Sequence, residues 1–127
     1  MHTHDFDSRL ILFSEFNPNP IIGLNLLGEF IFVNLSARTQ FPTLVRLGKK
    51  HPVLSVLIDE LSEFKHGTEE LIIFSRDVFY LNNIYDQQIF AMPKRNVIFI
   101  YMNDVTEQRH IEEELKLVNA KLEEDQR

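Results

Sequence analysis

Any chemistry in this chain would have to come from its five histidines, its clustered carboxylates or a buried amide. The histidines do not assemble a metal site. His51 and His66 flank a candidate helix and stand about 22 Å apart at the helical rise of ~1.5 Å per residue, too far to share an ion. Either could in principle serve as a lone axial haem ligand, but a solvated helix end is the better reading of both. His2 and His4 belong to a polar terminus, and His110 to a charged helical stretch. The acidic clusters Asp59-Glu60, Glu69-Glu70 and Glu112-Glu113-Glu114 read as solvated faces. The four glycines are isolated, so they build neither a phosphate-cradling loop nor a nucleophile elbow. No catalytic centre is expected.

The polar residue that draws attention is Gln87. Period-2 alternation places it on one strand face with Tyr85, Ile89 and Ala91, and that face reads as inward. A buried amide needs partners. Gln87 and Tyr85 either present hydrogen bonds to a ligand in an apolar cavity or satisfy each other and the backbone, and the residues leave both open. The candidate pocket walls are Ile22, Leu24, Leu57, Leu61, Val78, Tyr80, Ile89, Ile98, Ile100 and Met102. A filled core would use the same side chains.

Asp104-Val105-Thr106-Glu107 has the form of a capping box, with the Asp104 carboxylate on the orphan amides of a helix start and Glu107 reaching back. Thr106 is the rival cap. From there Ile111, Leu115, Val118 and Leu122 follow at spacings of four, three and four, a single apolar stripe like the seam of a two-stranded coiled coil. An isolated helix of this length is marginal in water, so pairing in a parallel dimer is what would order it. Glu112 and Lys116, four apart, add about 0.3 kcal/mol. The seam places Leu and Val opposite to the arrangement that best favours dimers, a weak specification that suits a switch.

The elements that must position these residues follow from pattern and punctuation. Ser8 caps a short helix through Phe16, and Asn17-Pro18-Asn19-Pro20 breaks it. Strands are expected over Ile21 to Leu26 and Phe30 to Val33, joined at Leu27-Gly28-Glu29; the second is apolar throughout, as if covered on both faces. Asn34 caps a short helix over Leu35 to Gln40. Pro52 opens a longer one, with Leu54, Leu57, Ile58 and Leu61 buried, Phe64 extending that face and Gly67 closing it. Thr68 to Phe74 reads as an extended lead-in. Arg76 to Leu81 and Ile84 to Met92 form a hairpin about Asn82-Asn83, and Val97 to Met102 is a buried strand feeding directly into the striped helix.

The 127 residues suffice for one domain with one core plus an appendage. Thirteen basic against nineteen acidic side chains leave a net charge of −6, which argues against a phosphate backbone as partner. With no cysteine there can be no disulfide, thiolate metal site or sulfur-linked cofactor, so flavin chemistry through a cysteine adduct is excluded; noncovalent flavin, haem or a small metabolite stay open. The polar N-terminus is unlike a signal peptide and no apolar run approaches a membrane span, so a cytoplasmic location without direct membrane contact is expected.

This order of motifs resembles the PAS domain family of bacterial signalling proteins. Asn17-Pro18-Asn19-Pro20-Ile21-Ile22 with Gly28 and Phe32-Val33-Asn34 looks like its opening hairpin. His51-Pro52-Val53-Leu54 and Ile84-Tyr85-Asp86-Gln87-Gln88-Ile89 look like the middle of PAS domains that precede sensor kinases, and Asp104-Val105-Thr106-Glu107 matches the motif that ends the last strand. The resemblance implies an α+β fold: a five-stranded antiparallel sheet in the order 2-1-5-4-3 with helices on one face and a small pocket between. It also implies a joint at Asp104 and Thr106 that passes sheet movement to an output helix. The expected organisation is a cap helix over residues 1–16, a PAS domain over 17–104 and a signalling helix over 105–127. A homodimer through the N- and C-terminal helices would drive an effector beyond Arg127, a histidine kinase or next a diguanylate cyclase. The alternative is a ligand-free dimerisation module.

Overall fold

The computed structural model describes residue 9, residues 12–62 and residues 70–125. Strands β1 (Ile21–Leu24) and β2 (Phe30–Val33) are followed by helices α1 (Leu35–Gln40), α2 (Leu44–Leu47) and α3 (Leu57–Ser62). Then come β3 (Ile72–Tyr80), β4 (Asn83–Met92), β5 (Val97–Asp104) and the long helix α4 (Thr106–Asp125). The strands form one antiparallel sheet in the order β2-β1-β5-β4-β3, the expected α+β architecture.

Alternation along the strands builds the core. Ile22 and Leu24 of β1, Ile89 and Ala91 of β4, and Ile98, Ile100 and Met102 of β5 point to one face. Ala37, Phe41, Leu44, Val53, Leu54, Leu57 and Leu61 close over them. At about 25 cal/mol per Å² of apolar area removed from water, this single layer contact is the main stabilising term of the fold. Asn34 fastens one corner of it. Its buried Oδ1 accepts the amides of Ile21 (2.9 Å) and Ala37 (3.0 Å), while Nδ2 donates to the carbonyls of Ser14 and Asn19 (both 2.9 Å). That cap starts α1 where the sequence places it.

Several boundaries move. β1 ends at Leu24, where the chain turns through Gly28 at φ +87°. β2 is a sheet edge with Ile31 54% exposed, so it is not covered on both faces; a register irregularity opposite Gly23/Leu24 turns Ile31 outward. β3 begins at Ile72, four residues before Arg76, and the hairpin turns at Leu81-Asn82, with Leu81 at φ +54° and Tyr80 paired to Asn83. The helix expected from Pro52 starts only at Leu57. Val53 and Ser55 spend their carbonyls on side chains from the sheet, and Val56 sits at φ +73°, so residues 52–56 turn rather than coil. Of the face expected to be buried, Leu54, Leu57 and Leu61 are buried and Ile58 is partly so. Residues 12–15 are helical; the Ser8 cap, Phe64, His66, Gly67, Thr68, His2 and His4 lie outside the described residues.

Candidate functional site

The junction of β5 and α4 is built by hydrogen bonds that tie the helix to a neighbouring strand. Asp104 Oδ1 accepts the Thr106 amide (3.0 Å) and the Thr106 hydroxyl (2.6 Å), satisfying a donor at the helix start. Thr106 Oγ1 in turn accepts the N–H of Ile84 on β4 (2.8 Å), and the Val105 N–H donates to the Ile84 carbonyl (2.9 Å). Both backbone groups of Ile84 are therefore committed to the first residues of the helix. Asp104 acts on Thr106, two residues on, rather than on the third as a capping box would; Glu107 lies exposed. Arg109 adds a further tie, its guanidinium set against the Asp77 carboxylate of β3 at 3.1 and 3.2 Å. That contact holds the Arg109 pKa up, chiefly through the hydrogen bond to Asp77.

Beyond the junction α4 stands clear of the domain. Ile111, Leu115, Val118 and Leu122 are each half-exposed or more, as is Leu117 beside them. Glu112 faces back toward Arg109 (3.5 Å) and Gln108 (3.3 Å), so the expected pairing with Lys116 is replaced by one with residues nearer the junction. An open cleft between Asp104, Thr106, Glu107, His110, Ile111 and Glu114 runs along the same side. Among the described residues no cluster of His, Cys, Asp or Glu is placed to hold a metal ion, and no helix is long and apolar enough to cross a membrane.

The candidate pocket residues come together: all are buried except Tyr80, which is partly so, and all but Gln87 join one apolar cluster. Gln87 is fully buried and its amide is satisfied from within. Nε2 donates to the Val53 carbonyl (2.6 Å), and Oε1 accepts from Arg76 Nε (2.8 Å), the residue directly opposite across the β3–β4 ladder. Arg76 also donates to the carbonyls of Val53 (3.2 Å) and Ser55 (3.4 Å). Desolvation lowers its pKa, with the charge of Glu60 opposing. Tyr85, whose pKa burial raises, donates its phenol to Gln40 Oε1 (3.1 Å) rather than to Gln87.

His51 departs most from expectation. It is fully buried, not a solvated helix end. Its Nδ1 accepts the Val53 amide (3.2 Å), and its ring lies against Tyr80 and Phe41, with centroids 5.1 and 5.8 Å away. Phe41 also meets Tyr80 and Tyr85 edge to face at 5.2 and 5.1 Å. His51 Nε2 has no partner among the described residues, and burial lowers the imidazole pKa. Sequence reasoning missed the roles of His51, Arg76, Asp77 and Arg109. A correct hairpin register would have paired Arg76 with Gln87, but nothing in the sequence signals the other contacts.

No protein-family model matches the chain. The PAS domain of Bordetella pertussis BvgS is similar in structure, with a TM-score of 0.50 and 20% identity over 94% of this chain and 97% of that one. A phage VqmA, solved as its complex with DPO, gives a TM-score of 0.54 and 16% identity over 91% of this chain and 60% of that chain. Among curated sequences, an uncharacterized protein of Synechocystis sp. is 24% identical over 113 residues. That match covers 89% of this chain but only 16% of the Synechocystis protein. The sheet order and these structural likenesses establish a PAS fold.

Proposed function

We propose that this chain, whose fold is that of PAS sensory domains, relays ligand or partner binding through α4 to an effector, a histidine kinase. The observation that carries the reading is the double commitment of β4. Gln87 and Tyr85 face the core from this strand, while Ile84, the residue before Tyr85, gives both backbone groups to the start of α4. Asp104 is also the register partner of Tyr85. A change that shifts β4 at the core therefore shifts the helix start, and a two-state arrangement of the pair would move populations between outputs.

The exposed stripe of α4 is the surface through which two copies would pair in a parallel dimer, with the N-terminal helix contributing and the cytoplasm as the expected compartment. The chain itself has a regulatory rather than catalytic role in this scheme. A diguanylate cyclase is the other effector that such a linker helix would serve. One observation favours the ligand-free dimerisation module as a second reading: the Gln87 amide is internally satisfied by Val53 and Arg76.

The test is Asp104→Ala in a longer protein that includes the effector. The substitution removes the acceptor for the Thr106 amide and hydroxyl while leaving the core untouched. The fold should persist, with a loss of about 1 kcal/mol typical of a lost helix cap, and the stimulus should no longer change effector output. A variant whose output still follows the stimulus as the unmodified protein does would refute the joint.

A further inference from the structure

β3 is an edge strand with few of the features that keep such edges apart. It ends the sheet, with β4 as its only strand partner among the described residues, and runs nine residues in unbroken register. The backbone N–H and C=O groups along its far side form a template for another strand. Natural edges are blunted by lysine, proline, a bulge or an inward charge, and β3 has only the last. That charge, Arg76, is spent on Gln87 and on the carbonyls of Val53 and Ser55. On its solvent face the strand shows Ile73, Ser75, Asp77 and Phe79, with Leu71 and Leu81 just beyond its ends. The four apolar residues of this set are between 49% and 83% exposed.

The order along that face is apolar, apolar, polar, polar, apolar, apolar, which reads the same in both directions. We infer that β3 pairs antiparallel with β3 of a second copy of this chain, about a two-fold axis at Arg76, to make one sheet continuous across both chains. In that register Ile73 faces Phe79 of the second copy, Ser75 faces its Asp77, and Leu71 faces its Leu81. Each contact is made twice, as a two-fold interface requires. Apolar side chains meet apolar ones and a hydroxyl meets a carboxylate, the kinds of cross-strand pair that stabilise a sheet. Charge excludes the neighbouring registers. An axis at Asp77 sets two like carboxylates opposite each other, and an axis at Ser75 sets Asp77 against Ile73, stranding a carboxylate in an apolar pair. At the axis Arg76 stands opposite its copy on the inner face, but each guanidinium is turned onto its own acceptors, with the charge of Glu60 opposing it. Arg109 likewise accompanies Asp77, so the axis gathers two ion pairs rather than two bare carboxylates. That same contact anchors α4 one residue from the axis, which brings the strand pairing into continuity with the α4 seam. The pairing requires neither ligand nor effector and goes beyond the relay reading.

The chain has no cysteine, so introduced ones report the register without background. Ile73→Cys and Phe79→Cys are made separately in the 127-residue chain, and each is oxidised alone and after mixing with the other. Opposed residues of an antiparallel pair have Cα atoms about 4.5–5.5 Å apart, within reach of a disulfide. Like residues would stand about 20 Å apart along the two strands at ~3.4 Å per residue, out of reach. The expected result is a disulfide-linked dimer from the mixture, formed at least about tenfold faster than from either variant alone. Independently, Phe79→Lys changes an exposed site and should leave the fold intact. It should raise the dissociation constant of the chain's dimer at least about tenfold by light scattering, because it sets a charge against Ile73 of the second copy. Cross-linking of either variant alone at the rate of the mixture would overturn the register. No cross-linking in any sample would overturn the pairing and leave the edge to a strand of another protein. A dissociation constant unchanged by Phe79→Lys would overturn it as well, leaving α4 as the dimer contact.

Discussion

Arg109 of α4 meets Asp77 of β3 through two contacts, Nε to Oδ2 at 3.1 Å and Nη2 to Oδ1 at 3.2 Å, across 32 positions of sequence. The pair joins the output helix to the far edge strand of the sheet, two strands beyond the one from which the helix emerges. Both side chains are about one-third exposed, so the pair adds little to global stability. Its consequence is local. Arg109→Ala should leave the urea midpoint nearly unchanged but raise amide exchange over residues 106–113 about two- to threefold, the effect of losing one weak helix anchor. Asp77→Asn should do the same. Unchanged exchange in both variants would show that the Ile84 contacts alone hold the helix.

Val56 at φ +73° is the most strained of the described residues outside glycine, because a β-branched side chain is poorly accommodated there. Left-handed geometry costs an L-residue about 1–2 kcal/mol, and glycine gives back part of that as freedom in the unfolded chain. Val56 is 59% exposed, so little burial is lost on shortening it. Val56→Gly should therefore stabilise the protein by about 0.5 kcal/mol, read as a raised urea midpoint at unchanged slope. A lowered midpoint would mean that the valine side chain contributes more through packing than the backbone loses through strain.

The same segment marks the limit of what the sequence discloses. Strand identity was legible because alternation at Ile22, Leu24, Ile98 and Ile100 and the apolar run of β5 are local signals, and so was the Asn34 cap. The stripe on α4 was legible for the same reason. The start of α3 was not, since Pro52-Val53-Leu54 is good helix-opening sequence. What prevents it is the capture of the Val53 and Ser55 carbonyls by Arg76 and Gln87, more than twenty residues away in the chain. Reading the turn one residue late, at Asn82-Asn83 instead of Leu81-Asn82, hid the Arg76–Gln87 pairing. His51 looked solvated because it stands at the end of an expected helix, while the aromatic groups that bury it come from α1's end and β3.

Gln87 joins the Val53 carbonyl to Arg76, so its loss should loosen residues 52–56 over the core. Gln87→Leu keeps the volume but leaves Arg76 Nε and part of the Val53 carbonyl's bonding unmet. The expected loss is about 2 kcal/mol by urea denaturation, within the range for stranding buried polar groups. Arg76→Met in the same background should cost less than in the wild type, because the two side chains share one network. Fully additive losses would show that Arg76 and Gln87 act independently.

The exposed stripe of α4 can be tested directly for pairing. Leu115 and Leu122 occupy equivalent seam positions, and a carboxylate there would have to be buried against its copy in a paired helix. Light scattering should give a dimer for the 127-residue chain and at least about a tenfold higher dissociation constant for Leu115→Glu, since the lost seam contact exceeds ~1.4 kcal/mol. The circular dichroism of the variant should fall as unpaired α4 frays. An equal dissociation constant would place the dimer contact elsewhere on the domain.

His51 predicts an acid-sensitive stability. Burial disfavours the imidazolium, so the folded pKa lies below the unfolded value of about 6.5. Its ring neighbours, Phe41 and Tyr80, offer no carboxylate to reverse that. Above the unfolded pKa both states hold a neutral ring and His51 contributes no pH dependence. As pH falls below about 6.5 the unfolded chain takes up a proton that the folded one refuses, so stability is lost, with a slope approaching ~1.4 kcal/mol per pH unit until the folded pKa is reached. The carboxylates titrate in the same experiment, so the measurement is the difference between the wild-type protein and His51→Phe across pH 7.5 to 5. That difference should be flat above neutrality and should move against the wild type as the solution becomes more acidic. A difference that stays flat throughout would mean that the folded protein accommodates the imidazolium, and the buried, neutral His51 would have to be abandoned.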